Sequence, residues 1–213
     1  MSAMSNQPFT RGVRRPACNT ATWVGEDYAR RIAREMLREL MAAYAALKQE
    51  ELTLAGVRKS RVFLRDEPAR VGPGFKMGYR TWLCMAFEES QFAIFSADFN
   101  DRGAFRRADM PIMFVGRHFL ERAFERFARS GTNYIPDITR DILAPMSSLA
   151  RPKDSGTPGI GLSAEVDIPN IGRIILETML CPAPSDYLAW VAKTFLPPQL
   201  DEHGARQFGM DQH

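Results

Sequence analysis

Two apolar and aromatic runs, at residues 79–87 and 91–99, constrain the fold more than any other feature of this sequence. Only the polar residues Glu88, Glu89 and Ser90 separate them. Runs of this length, rich in aromatic residues and joined by a short polar connection, predict a β-hairpin. Because strands joined this closely pair antiparallel, the hairpin predicts an antiparallel sheet that is buried on at least one face.

The other periodic segments surround this hairpin with helices and further strands. Their order is helix, about three strands, two helices and three strands, which predicts an α+β fold with an antiparallel sheet packed against helices, and not the βαβ alternation of a doubly wound fold. The run at 187–196 predicts a strand, with a short helix as the alternative. The predicted helices are 26–49, 117–129 and 136–150, the last broken or ended by Pro145; the other predicted strands are 61–65, 160–168 and 173–180, and 66–78 is predicted to be a loop.

The ends of the chain differ in composition from its middle. Residues 1–22 are rich in Ser, Asn, Thr, Pro and Arg and predict a flexible basic arm, and 199–213 predict a loose tail, so a single α+β domain is expected over 23–198. There is no apolar stretch of transmembrane length and no secretory signal, which predicts a cytoplasmic protein with no membrane partner. The three cysteines have no metal-ligand spacing and are expected to be reduced and mostly buried.

Charge is distributed unevenly along the chain. Residues 1–150 carry 23 Lys and Arg against 17 Asp and Glu, whereas residues 151–213 carry 5 against 8. Arginine dominates the basic part, and its planar guanidinium suits bidentate pairing with phosphate and carboxylate groups. RNA or an acidic protein is therefore a candidate partner of the first two thirds of the chain.

The segment 114-FVGRHFLERAFERFARS-130 predicts an amphipathic helix. At about 100° per residue, one arc is apolar and His118 lies at the centre of the opposite, polar arc. The apolar arc consists of Phe119, Leu120, Ala123, Phe124 and Phe127. Where this helix begins stays open from sequence alone. Asp109 could cap it with Pro111 in the first turn, or residues 111–115 could form a strand broken by Gly116.

The polar arc combines the residue types that RNA cleavage without a metal requires. A base must take the 2′-hydroxyl proton, cations must stabilise the charge on the phosphate, and an acid must serve the leaving oxygen. We therefore predict His118, Arg122 and Glu125 as catalytic residues and no cofactor. The simpler interpretation is that the arc faces water and has no catalytic role. The predicted nucleic-acid contacts are Arg126, Arg129, Arg106 and Arg107.

The segment 118-HFLERAFERFARSGTNYIPDITRDIL-143 resembles the H-x-x-x-R-x-x-x-R helix, followed by a second helix opened by an acidic residue, of bacterial RelE/ParE-like toxin domains. In that superfamily the two helices precede an antiparallel sheet, and the order over 110–196 is similar. The resemblance implies that His118, Arg122 and Arg126 occupy the motif positions. It also implies ribonuclease activity, either ribosome-dependent or free.

Two other functions follow from weaker patterns. Glu165 and Asp167 lie on one face of a predicted strand with Glu177 on its neighbour, so a magnesium site is conceivable, although alternating charges on the solvent face of a meander explain them better. The second alternative is a non-enzymatic binding protein whose arginine-lined helices dock onto an acidic protein or nucleic acid. A steep salt dependence of binding, unaffected by loss of His118, would distinguish it from the nuclease.

Overall fold

The computed structural model of the chain describes residues 25–49, 52–71, 76–126, 134–149, 162–168, 171–181 and 186–197. The arm predicted at 1–22 and the tail predicted at 199–213 lie outside these ranges. The described elements confirm the predicted α+β fold, because helices pack against a mostly antiparallel sheet.

Eight described strands belong to one sheet, and all but one of the neighbouring pairs are antiparallel. The strands are β1 Phe63–Val71, β2 Lys76–Glu88, β3 Gln91–Asn100, β4 Phe105–Ala108, β5 Met113–Gly116, β6 Ser163–Ile168, β7 Gly172–Cys181 and β8 Tyr187–Leu196. Their order across the sheet is β1-β2-β3-β5-β8-β7-β6, and β4 pairs with β3 outside this path.

The predicted hairpin at 79–99 is confirmed as β2 and β3, which pair along almost their full length. The predicted loop at 66–78 is wrong over 66–71 and 76–78, because β1 extends to Val71 and β2 begins at Lys76. Pro68 had favoured a loop. It is tolerated because β1 is an edge strand with one neighbour, so the missing N–H of proline need not donate into the sheet.

β5 joins the two halves of the sheet. It pairs antiparallel with β3 and parallel with β8, which lies more than 70 residues further along the chain. The strand alternative for 111–115 is therefore the correct one, and the chain passes directly from Gly116 into a helix. Beyond β5, the predicted three-stranded meander is confirmed as β6, β7 and β8, including the strand at 187–196.

Two amphipathic helices form most of the helical layer: α1, Glu26–Gln49, and α3, Arg117–Arg126. They pack against each other, α1 also against β2 and α3 also against β8. The short helix α2, Leu54–Lys59, contacts β1. As the periodicity predicts, the described residues of the apolar arc are fully buried: Phe119, Leu120, Ala123 and Phe124. Phe127 lies outside the described residues.

The second predicted helix, at 136–150, forms three consecutive helical segments: α4 Tyr134–Ile138, a π-helical turn Thr139–Leu143, and α5 Ala144–Met146. Pro145 was predicted to break or end the helix, yet it lies in the first turn of α5. The Ala144 N–H bonds to the Thr139 carbonyl, five residues back. This wider turn lets the chain stay helical beside a proline that has no N–H to donate.

The two described cysteines, Cys84 on β2 and Cys181 on β7, are buried and free, as expected. Burial raises the pKa of the Cys84 thiol, so this side chain behaves as a small apolar core residue. Cys18 lies outside the described residues.

Candidate functional site

His118 lies in the first turn of α3 with 67% of its side chain exposed. Its Nδ1 is 3.8 Å from an oxygen of Glu121, and the same carboxylate lies 3.4 Å from Nε of Arg117. The predicted catalytic set did not include Glu121. Within the described part of the chain, this carboxylate is the acidic group beside the histidine.

The other predicted members of the row have partners of their own. Arg122 donates to Glu125 over 2.6 Å, three residues along the helix. Arg126 donates to the carbonyl oxygen of Phe195 on β8, also over 2.6 Å. Burial lowers the pKa of Arg126, and the neighbouring charge of Arg122 lowers it further. His118, Arg122 and Arg126 therefore contact three different groups, and Arg126 joins the helix to the sheet. Arg129 lies outside the described residues.

The two other predicted nucleic-acid contacts, Arg106 and Arg107, lie on β4. All four β4 residues are exposed. Phe105 pairs with Phe99 of β3 and Arg107 pairs with Asp98, so Arg106 is the extra residue of a β-bulge. A bulge changes the direction of the side chains around it and is common beside functional sites.

The turn before β4 is built by local interactions that the sequence favours. The side-chain oxygen of Asn100 accepts hydrogen bonds from the backbone N–H groups of Arg102 and Ala104. Gly103 adopts a φ of 77°, a conformation that glycine reaches without steric cost. Its carbonyl accepts from the N–H of Leu54 at the start of α2. The turn that carries Arg102 is therefore held by the Asn100 side chain and by a backbone hydrogen bond from α2.

Arg102 and Phe105 were not among the predicted site residues, yet the structure places them beside Arg106 and Arg107. We call Arg102, Phe105, Arg106 and Arg107 the arginine edge. Phe105 is 41% exposed, and its ring contacts that of Phe99 in an edge-to-face arrangement, with 6.0 Å between the ring centroids. Arg102 and Arg106 are exposed, and their side chains form no ion pair with any residue that the structure describes. The signal in the sequence was the aromatic residue between arginines in 102-RGAFRR-107.

Next to the arginine edge, Asp98 is held between two guanidinium groups. Arg80 donates to both carboxylate oxygens, at 2.9 and 3.3 Å, and Arg107 donates through Nε at 2.9 Å. Asp98 is only 1% exposed. Burial acts to raise its pKa, but the hydrogen bonds and charges of the two arginines outweigh burial and lower the pKa. Asp98 thus stays ionised, and the pKa of Arg80 is raised in turn.

A polar cavity of about 530 Å³ adjoins this pair. Arg80 and Arg107 line one side and Ser147 and Ser148, which follow α5, line another. Asp109 also lines it, and one of its oxygens accepts from the Ser96 hydroxyl over 2.7 Å. The other lining residues are Trp82, Ala108, Met110, Ile112 and Leu149.

The carboxylates considered for magnesium are exposed and paired with cations. Arg173 binds both Glu165 and Asp167, and Lys193 lies 3.0 Å from Glu177. No group of three or more His, Cys, Asp or Glu suited to a metal ion occurs among the described residues. The arrangement fits the interpretation of a charged solvent face.

Comparison with known proteins provides no relative from which a function could be transferred. The chain matches no protein-family model, no curated protein and no solved structure. The resemblance to RelE/ParE-like toxins therefore stays a prediction. In the described ranges, the helices are all too short or too polar to cross a membrane.

Proposed function

We propose that this protein binds single-stranded RNA through the arginine edge. The observation that carries the proposal is Phe105, an exposed aromatic ring among arginines of which two have no ion pair in the described part of the chain. Proteins that bind single strands combine cations for the phosphates with aromatic rings on which bases stack.

The charge around the arginine edge favours an anionic partner. Asp98 is already neutralised by Arg80 and Arg107, so it does not repel a phosphate as an isolated carboxylate would. A further exposed cation, Arg70 on β1, lies at the same end of the sheet. From β1 through β2 and β3 to β4 there are three strand spacings, or about 14 Å. The nearby charges are Arg70, Arg80, Arg102, Arg106 and Arg107 against Glu67, Asp98, Asp101 and Asp109.

The exposed aromatic ring favours RNA over an acidic protein as the partner. Carboxylates of a protein need only the arginines, whereas a stacked base also uses the face of Phe105. The edge is also pre-organised. Asn100 and Gly103 hold the turn before β4, and β3 holds the strand itself, so little backbone entropy is lost on binding.

The test compares two double variants that remove the same charge from different regions. Arg102→Ala with Arg106→Ala removes two cations from the arginine edge, and Arg30→Ala with Arg38→Ala removes two exposed cations from α1. Affinity for a labelled single-stranded RNA is measured by fluorescence anisotropy over a range of salt concentrations. We expect the first double variant to lower the salt slope by about 1.4, at about 0.7 per lost phosphate contact, and the α1 variant to leave it unchanged.

Phe105→Ala tests the stacking contribution separately. It should weaken RNA binding by about 1–3 kcal/mol, while binding of an acidic peptide should change little. Equal losses from the arginine-edge and α1 double variants would refute the proposal. So would RNA affinity that is unchanged by Phe105→Ala.

Metal-independent RNA cleavage at α3 is a second candidate. It is favoured by the exposure of the His118 ring, which leaves it accessible to a large substrate, and by the Glu121 carboxylate 3.8 Å away. Purified protein is incubated with RNA in the presence of a chelator and compared with His118→Ala, Arg122→Ala and Glu121→Gln. Cleavage that is equal in all four proteins, or absent from all of them, removes this candidate.

A further inference from the structure

The polar cavity beside Asp98 has the size and the mixture of groups expected of a small-ligand site. Its volume of about 530 Å³ lies within the usual range of ligand pockets, roughly 300–1,000 Å³. It shares Arg107 with the arginine edge, but Arg102, Phe105 and Arg106 do not line it.

The arginines of the cavity are oriented before any ligand arrives. Asp98 is buried and accepts hydrogen bonds from Arg80 Nε and Nη2 and from Arg107 Nε. A guanidinium has five N–H donors, so each arginine keeps donors that Asp98 does not use. Because Asp98 already holds the two planar groups, the arginines lose little side-chain entropy when a phosphate binds them.

The cavity also contains an acceptor for a ligand hydroxyl. One oxygen of Asp109 accepts from Ser96, and the other lies 3.9 Å from Arg107 Nε, which is too far for a hydrogen bond. This second oxygen can accept from a ligand O–H or N–H. Ser148 adds an exposed hydroxyl. An anion without donor groups could use the two arginines but would leave this Asp109 oxygen without a hydrogen bond.

A ribonucleoside phosphate presents both kinds of group at once. We propose that the cavity binds this unit, with the phosphate on Arg80 and Arg107 and a ribose hydroxyl donating to Asp109. The unit is either a free nucleotide or one nucleotide of the strand at the arginine edge, and in the second case the inference rests on the proposed function. The 2′-hydroxyl distinguishes RNA from DNA, so this contact gives a preference for ribose.

The experiment titrates the full chain with three probes: adenosine 5′-monophosphate, 2′-deoxyadenosine 5′-monophosphate and adenosine. Binding is followed by the indole NMR signal of Trp82, which lines the cavity, assigned with Trp82→Phe. We expect saturable binding of the ribonucleotide, about tenfold weaker binding of the deoxynucleotide for one lost hydrogen bond, and still weaker binding of adenosine.

The variants separate the two ends of the ligand. Asp109→Ala should abolish the preference for ribose, and Arg80→Gln should weaken nucleotide binding at least tenfold. Ser148 is exposed, so Ser148→Ala leaves the core intact and provides a second test should Arg80→Gln fail to fold. It should weaken binding of the ribonucleotide. Asp101→Ala, in the turn and outside the cavity, is the matched control.

Competition with a single-stranded RNA identifies the source of the nucleotide. Displacement of the mononucleotide by RNA supports a strand unit in the cavity, and simultaneous binding supports a free nucleotide. Absence of any shift of the Trp82 signal up to about 10 mM ribonucleotide overturns the inference. Equal binding of the ribo- and deoxynucleotides overturns it as well. The proposed function fails by a different result, RNA binding that is insensitive to Arg102→Ala with Arg106→Ala.

Discussion

Helix α3 and strand β4 are both rich in arginine, yet their arginines have different surroundings. Each α3 arginine has a partner within the protein: an ion pair with Glu121 for Arg117, and hydrogen bonds to Glu125 for Arg122 and to the Phe195 carbonyl for Arg126. On β4, Arg107 shares Asp98 with Arg80, while Arg106 has no ion-pair partner among the described residues. The number of arginines in a segment is therefore a poor guide to a binding surface.

The difference arises from the geometry of the two elements. On a helix, residues three and four apart are neighbours, so 117-RHFLERAFER-126 places a glutamate beside each of its first two arginines. On β4 the chain is extended and bulged, and its acidic neighbour comes from β3. Arginines on a helix with interleaved glutamates form ion pairs with those glutamates. The ion pairs of arginines on β4 depend instead on which strand lies beside it.

The largest expected effect comes from Asp98, where the arginine edge meets the core. Asp98→Ala leaves Arg80 and Arg107 beside each other without their shared acceptor. Loss of one member of a buried pair costs about 3–5 kcal/mol, and because both arginines can turn to water we expect about 2–3 kcal/mol. Urea denaturation measures the loss, with Asp101→Ala as the exposed control. A change below about 0.5 kcal/mol would show that the pair adds no stability.

The same pair predicts how stability depends on pH. The pKa of Asp98 is lower in the folded protein than in the unfolded chain, where it is about 3.9. The contribution of ionised Asp98 to the unfolding free energy is therefore complete above the unfolded-chain pKa and is lost as pH falls through the folded pKa. The difference in unfolding free energy between the protein and Asp98→Asn should be constant from pH 7 to about 5 and should shrink below about 4. A difference that grows on acidification contradicts the assigned direction.

A smaller effect is expected at Arg126, which was predicted from sequence to contact nucleic acid. Arg126→Ala removes the hydrogen bond to the Phe195 carbonyl, a charged bond worth about 1.5 kcal/mol. We expect that loss in urea denaturation, with RNA affinity unchanged. Arg106→Ala should show the reverse, with lower affinity and intact stability. Should Arg126→Ala reduce RNA affinity as much as Arg106→Ala, the assignment of a structural role to α3 and a binding role to β4 would be wrong.

The smallest effect is expected at Arg122 on the polar arc of α3. Its pair with Glu125 is partly exposed, and such helical pairs contribute about 0.3–0.5 kcal/mol. Arg122→Ala should therefore shift the unfolding midpoint only slightly, and Arg122→Lys should restore most of the loss. A loss above about 1.5 kcal/mol would mean that Arg122 has a further buried partner.

Much of the fold was predictable from local patterns. The hairpin of β2 and β3 and the meander of β6 to β8 follow from apolar runs bounded by turn residues, and the buried face of α3 follows from the helical period of 3.6 residues. The extension of β1 through Pro68 was missed because its tolerance depends on β1 being an edge strand. The helical path through Pro145 was missed because a π-helical turn accommodates the proline.

The candidate site was predicted only in part. Arg106 and Arg107 were named from sequence, but Arg102 and Phe105 were not, because their relation to β4 depends on the turn and the bulge. Asp98 and Arg80, in contrast, carried no signal in the sequence. They meet because β2 and β3 place residues 18 positions apart directly opposite each other.

By itself, the sequence determined the hairpin of β2 and β3, the helices α1 and α3, and the apolar face of α3, since these depend on near neighbours in the chain. Tertiary structure alone decided that β5 pairs with β8, that Arg126 joins α3 to the sheet, and that Asp98 lies between two arginines. These contacts connect residues far apart in sequence. Local periodicity carries no information about them, because they form only when distant strands pair and the intervening chain is closed into loops.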